Sequence, residues 1–178
     1  YIVQQLGNLG YKIRVVVRKP NSALFLKVYG KVGQIEIVKG DISDSDSIEE
    51  LIGEAESVIN CVAIFYETNS QNFKNIHVRA ASQLAQTCKN VGVKQLIHIS
   101  SLGASKSSES ALLKTKGAGE EEVLRIFPTA NILRPSLIFG PEDDFFNRFA
   151  RMTMISPFIP SIGSSTKFQP VFVNDVAK

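Results

Sequence analysis

The chain is poor in what marks a disulfide scaffold, a metal site or a membrane span. Its 178 residues include two cysteines, Cys61 and Cys88, both in apolar surroundings. Two such residues build neither a disulfide framework nor a metal-ligand spacing. They are expected to be small core residues in a reducing compartment, and no metal site is expected. No apolar run reaches the ~18 residues of a membrane-spanning helix, and no signal peptide is visible. Charge is not concentrated either: the net charge is +3, from 20 Lys+Arg and 17 Asp+Glu. The basic residues are scattered, so nucleic acid is not expected as a partner. Internal repeats and low-complexity segments are absent. With 44% hydrophobic and 21% charged residues, what remains is one ordinary globular domain, large enough for a sizeable core.

What is present is alternation. Short apolar runs at 13–17, 35–38, 58–62, 96–99 and 131–133 predict strands. Helical patterns lie between them. Residues 1–9 are predicted as an amphipathic helix, with Ile2, Val3 and Leu6 apolar and Gly10 as its stop. Asp46 is placed to cap a helix, with Glu49 as its capping-box partner ahead of Leu51 and Ile52. The longest helix is predicted over 71–91, with Val78, Leu84, Ala85 and Cys88 on one face. Another spans 111–126 and ends before Pro128, and Asn174 is placed to cap a last one. Residues 68–71 and 103–109 are polar loops. Near-continuous apolar strands alternating with helices imply a parallel sheet covered on both faces. Right-handed crossovers make this an α/β, doubly wound sheet of the Rossmann type. Its ligands bind beyond the carboxyl ends of the strands.

Residues just after each strand therefore carry the functional reading. Arg18, followed by Lys19, suits a ribose 2′-phosphate, which favours NADP(H) over NAD(H); the alternative is a solvated basic pair. Asp41 can accept from an adenine amino group while the Ile42 amide bonds a ring nitrogen, or Asp41 is a turn residue. Asn60 closes a strand and either meets ligand or satisfies backbone groups. Cys61, Val62 and Ala63 are small enough to let the backbone approach an adenosine. Ser100, beside Ser101, can hydrogen-bond a carbonyl. Lys116 suits ribose hydroxyls, or is a solvated lysine beside Lys114. Tyr66 and His77 are weak candidates for a proton donor; a loop wall and a structural helix histidine are the plainer readings.

Two expected features are missing. No strand or glycine-rich turn precedes the first helix, although a dinucleotide pyrophosphate rests on that turn. The chain is therefore expected to be truncated at both ends of such a domain, and to hold nucleotide weakly or not at all as it stands. The second is a phenol. Ser100 and Ser101 close a strand, Lys116 stands in the next helix, and Arg134, Pro135 and Ser136 follow the next strand. One helical turn before the lysine, where a tyrosine would lose its proton to catalysis, stands Leu112.

Together with Gly40-Asp41, the Gly92-Val93-Lys94 turn, Gly119-Glu120 and the Phe139-Gly140-Pro141 turn, these motifs resemble the extended and atypical short-chain dehydrogenase/reductase superfamily over essentially the whole chain. Three segments narrow the likeness: residues 140–150 (GPEDDFFNRFA), residues 168–177 (FQPVFVNDVA), and Ile76-His77-Val78, which puts histidine where extended dehydrogenases place asparagine. With these the chain resembles the NAD(P)-binding accessory subunits of respiratory complex I, NADH:ubiquinone oxidoreductase. That resemblance implies a Rossmann domain over 1–140 and the start of a smaller substrate or docking lobe over 141–178. It implies tight NADPH binding without redox turnover, docking on complex I subunits near where quinone enters, and a role in assembly or stability. Arg18, Asp41, Ile42, Ser100, Lys116 and Pro135, with Ser136, become cofactor contacts by position. Members often keep a tyrosine where Leu112 stands. The implied location is peripheral, on the cytoplasmic face of a bacterial inner membrane or the matrix side in a mitochondrion. Phe145, Phe146, Phe149 and Phe158 either form a docking patch or pack into the core. Two other functions stay open: a free NAD(P)-dependent reductase or epimerase with a relocated acid, and a nucleotide-sensing regulator.

Overall fold

Strands form where the β-branched runs lie, and every pairing among them is parallel. The computed structural model describes residues 1–69, 71–155 and 165–178. Strand β1 (Ile13–Val17) pairs with β2 (Ile35–Lys39) in register from Ile13–Ile35 to Val17–Lys39. A second sheet has the order β3 (Ser57–Asn60), β4 (Gln95–Ile99), β5 (Asn131–Leu133). The two sheets are not hydrogen-bonded to each other among the described residues, so β1 and β3 each keep one unpaired edge. Two short strands, β6 (Ile138–Phe139) and β7 (Val171–Phe172), pair across residue 140.

Helices fill the intervals: α1 (Ile2–Asn8), a 3-10 helix (Pro20–Tyr29), α2 (Ile48–Ile52), a π-helical stretch (Lys74–Ala80) running into α3 (Ala81–Asn90), α4 (Ala111–Ile126), α5 (Phe146–Ile155) and α6 (Val173–Ala177). Gly10 stops α1 with φ 86, a conformation that glycine adopts without steric cost. Helix α4 has the bounds expected from its pattern. Its N-cap is Ser110, whose side chain accepts from the Leu113 amide at 3.5 Å.

Several sequence expectations need correction. Asp46 does not cap α2. The N-cap is Ser47, in helical conformation and with no side-chain cap bond. Asp44 has organised the turn instead, accepting from the Asp46 amide at 3.3 Å and the Ser47 hydroxyl at 3.0 Å. The strand expected over 58–62 ends at Asn60, because the Asn60 side-chain oxygen takes the Val62 amide at 3.0 Å and turns the backbone out of the ladder. The long helix begins at Lys74 rather than 71, and its first two turns are π-helical. Asn174 lies inside α6, whose N-cap is Phe172. Cys88 is a core residue as expected, but Cys61 is exposed, because it stands just past the end of β3. Phe158 lies outside the described residues.

The core sits between α2, α3 and α4 and the β3-β4-β5 sheet. It is built from Ile48, Ile52, Leu84, Ala85, Cys88, Leu96, Val123 and Ile126, with Phe127 closing the end of α4. Burying side chains such as Leu96 and Val123 stabilises the fold by roughly 1.5–3 kcal/mol each. Helix α4 approaches its neighbours too closely for side chains at two points. A Cβ on Gly117 would lie 2.6 Å from the Ser105 backbone, and one on Gly119 would collide with the carbonyl oxygen of His77. These contacts hold α4 close to its neighbours and set Lys116, which immediately precedes Gly117, against the end of β4.

Candidate functional site

Parallel strands aim their carboxyl ends the same way, so the residues that follow the strands of each sheet share one edge of that sheet. Arg18 follows β1 and is exposed. Asp41 follows β2, where Gly40 has no room for a side chain: a Cβ would lie 2.5 Å from Leu51 and 2.6 Å from Val16. One Asp41 oxygen accepts from the Ser43 hydroxyl at 2.5 Å and the Ser43 amide at 2.9 Å. Those bonds, with the nearby Arg18 charge, hold the Asp41 carboxyl below its usual range. Asp41 is thus a turn residue whose second oxygen has no hydrogen bond to a described residue. Ile42 packs its side chain against the core. Cys61, Val62 and Ala63 form the loop after β3, with Val62 exposed and Ala63 half-buried. Pro135 and Ser136 follow β5 and are half-buried; the Pro135 carbonyl accepts from the Leu102 amide at 2.9 Å. Tyr66 is 75% exposed.

Ser100 and Lys116 are brought together. The Ser100 amide donates to the Leu133 carbonyl at 2.7 Å, fixing the strand end. The Lys116 ammonium donates to the Ser100 carbonyl at 3.4 Å. Both residues are buried, at 3% and 5% exposure. The Ser100 hydroxyl has no hydrogen-bond partner among the described residues. An unsatisfied buried hydroxyl costs about 1–3 kcal/mol, which a polar ligand group at this edge would offset. Burial lowers the Lys116 pKa, and the Glu120 carboxylate opposes that shift. Leu112 stands one turn earlier in α4, half-buried.

Two residues at the site were not singled out by sequence reasoning, His98 and Thr115, and neither was the pairing of Glu120 with Arg134. His98 on β4 meets Asn60 at 3.1 Å through its Nδ1. Burial and the Lys116 charge lower its pKa to about 4. His77 is equally depressed, to about 4, by burial first and the Lys116 charge second. Its bonds fix its tautomer. Nε2 accepts the Ile64 amide at 3.2 Å, so the proton sits on Nδ1, which lies 3.1 Å from the Thr115 hydroxyl. That hydroxyl in turn donates to the Ala111 carbonyl at 2.9 Å. His77 therefore ties the loop after β3 to the helix that carries Lys116. Both ring nitrogens are occupied, so the sequence candidate for a relocated acid is engaged as a brace.

Glu120 is 2% exposed and is held by Arg134, whose Nε–H is shared between the two carboxylate oxygens at 3.1 and 3.0 Å and whose Nη2 donates to Oε2 at 2.5 Å. The two side chains are unequal, because the Arg134 side chain is 54% exposed. Arg134→Ala is expected to cost about 3–5 kcal/mol, since it strands a buried carboxylate. Glu120→Gln leaves a neutral amide and an arginine that reaches water, and is expected to cost about 1 kcal/mol. Urea unfolding of the two variants compares them; equal losses would contradict this asymmetry.

The carboxyl ends of β1 and β2 thus offer a cation and a carboxylate oxygen, and those of β3 and β4, with α4, offer small residues, a buried hydroxyl and a buried amine. Residues 1–126 match the family described as NAD(P)H-binding. The chain belongs to that family. Curated relatives follow it from end to end. It is 38% identical to "NADH dehydrogenase [ubiquinone] 1 alpha subcomplex subunit 9, mitochondrial" of Mus musculus, covering 100% of this chain and 48% of the relative. The protein of that name in Arabidopsis thaliana is 40% identical, covering 99% and 45%. The chain spans about half the length of the curated relatives it matches. "Ceramide reductase" of Caulobacter vibrioides is 26% identical over 99% of this chain and 54% of its own length. Among solved structures, MoeE5 in complex with UDP-glucose and NAD matches with TM-score 0.80 at 20% identity, covering 99% of this chain and 64% of that one. The likeness to MoeE5 shows the Rossmann-type fold, and the family match gives NAD(P)H binding. No helix among the described residues is long and apolar enough to cross a membrane.

Proposed function

We propose that this chain is the nucleotide-holding part of an accessory subunit of respiratory complex I, and that it keeps NADP(H) as a structural ligand without turning it over. The observation that carries this reading is Leu112: it occupies the helical turn before a buried Lys116, so the amine has no phenol to tune. The engaged His77 and the exposed Tyr66 support the same view, since neither is set to donate a proton at this edge. The relatives' names supply the complex.

The residues fit the cofactor. Arg18 would take the 2′-phosphate, the free oxygen of Asp41 and the Ile42 amide the adenine, and the 61–63 backbone the adenosine. Lys116 would hold the nicotinamide ribose hydroxyls, and the Ser100 hydroxyl, Pro135 and Ser136 the nicotinamide end. Bound NADPH supplies a hydride donor; this chain supplies position and electrostatics only. Residues 1–140 are the Rossmann domain and 141–178 begin a smaller docking lobe. Complex I subunits are the partners, and the location is peripheral, on the matrix face or its bacterial equivalent.

The Caulobacter relative favours a second reading, a reductase, and activity separates the two. Substrate-dependent NADPH consumption by the complete polypeptide, lost in Tyr66→Phe or His77→Asn, would overturn the structural-ligand reading. Co-migration with complex I activity on a native gel is the expected result. The cofactor preference has its own test. In the complete polypeptide, Arg18→Ala is expected to weaken NADPH by ~1–3 kcal/mol in calorimetric titration while leaving NADH nearly unchanged. Equal losses for both nucleotides would remove the NADP(H) assignment.

A further inference from the structure

At the amino-terminal ends of β1 and β2, opposite the nucleotide edge, lie two adjoining open grooves of about 700 Å³ each. They share Lys12 and the turn from Gly30 to Gly33. Lys12, Lys27 and Lys31 line them, and none of the three forms an ion pair among the described residues. The one acidic residue in the lining, Glu36, is already held by Arg14 at 2.8 Å. Aliphatic side chains stand among the lysines: Leu9 is 73% exposed, Val28 78% and Val32 107%. Val32 sits at the tip of its turn, beside Gly33 with φ 79. The fold gains nothing from these three apolar groups where they are. Unpaired cations interleaved with bare aliphatics make one amphipathic face.

We propose that this face docks on an anionic lipid bilayer, with Val32, Val28 and Leu9 entering the headgroup layer and the three ammonium groups meeting lipid phosphates. Charge complementarity selects the occupant. Each lysine close to an anionic membrane raises partition by about fivefold. A protein partner fits less well, because lysine is depleted at protein interfaces while arginine is enriched, and the free cations here are all lysine. The face lies at the opposite end of the sheet from the candidate cofactor contacts, so it stands or falls separately from the nucleotide reading.

Vesicle co-sedimentation of the chain tests the proposal, using phosphatidylcholine with and without phosphatidylserine. Sedimentation is expected only with the anionic vesicles, and it should weaken as NaCl is raised. The triple variant Lys12→Glu, Lys27→Glu, Lys31→Glu should lower the partition on the order of a hundredfold. Val32→Asp alone should lower it clearly, while Lys89→Glu on α3 should leave it unchanged. Thermal melts of each variant check that these surface changes leave the fold intact. No binding to anionic vesicles, binding indifferent to the triple variant, or capture through the same lysines by an acidic protein in place of vesicles would each overturn the proposal.

Discussion

Gly119→Ala is expected to destabilise the chain more than any core truncation of similar size, by on the order of 3 kcal/mol or more. The reason is backbone against backbone. A Cβ at this position would occupy the space of the His77 carbonyl oxygen. Neither side can yield easily. The carbonyl belongs to the π-helical stretch, and α4 is pinned two residues earlier by Gly117 against Ser105. Relief requires the two helices to separate, which would break the bridge from Ile64 through His77 to Thr115 and shift Lys116 off the Ser100 carbonyl. Thermal unfolding of the single variant measures this. A change within about 0.5 kcal/mol of wild type, the range of an ordinary surface substitution, would show that the close approach does not exist.

Acid lability is the second large effect. His77 and His98 both have folded-state pKa values near 4, against an ordinary value of 6.5. Depressed pKa values mean that the unfolded chain binds protons more readily than the native one. Above pH 6.5 both states hold these rings neutral, and stability is flat with respect to them. Between pH 6.5 and about 4 the unfolded state takes protons that the native state refuses, so stability falls as pH falls. Each ring contributes a slope of up to about 1.4 kcal/mol per pH unit, and up to about 3 kcal/mol over the whole window. The groups facing them work in the same direction or nearly cancel. Lys116 opposes protonation of both rings, the Ile64 amide bond opposes that effect weakly for His77, and Glu120 favours protonation of His98. Urea midpoints followed from pH 7.5 to 4.5 should drop steeply below pH 6.5, and His77→Gln should flatten part of that drop. A midpoint independent of pH across this window would contradict the buried neutral rings.

Much of the fold was legible because periodicity reports burial directly. Helix α4 was bounded correctly by its apolar spacing and by Pro128, β1 and β5 by their apolar runs, and β4 to within one residue, since it begins at Gln95 rather than 96. The errors came where a side chain outbid the pattern. Asn60 ended β3 by capturing an amide two residues on, and Asp44 displaced Asp46 at α2. The same limit governs the site. Single residues after strands were legible, because a parallel sheet places them on one edge. Pairings were not, since no local pattern links His98 to Asn60 or Arg134 to Glu120 across β4, β5 and α4. His77 illustrates both halves. Its position was conspicuous, but its role as a neutral brace depended on Ile64 and Thr115, which are 13 and 38 residues away in the chain.

The central claim is possession of nucleotide without turnover, and one measurement addresses it. The complete polypeptide, assembled in its respiratory complex, would be loaded with NADPH deuterated at the transferable position. The complex would then be driven through many cycles of NADH oxidation, and the nucleotide released and weighed by mass spectrometry. The account predicts NADP(H) with its deuterium retained. Loss of the label, or release of NAD(H) instead, would contradict it.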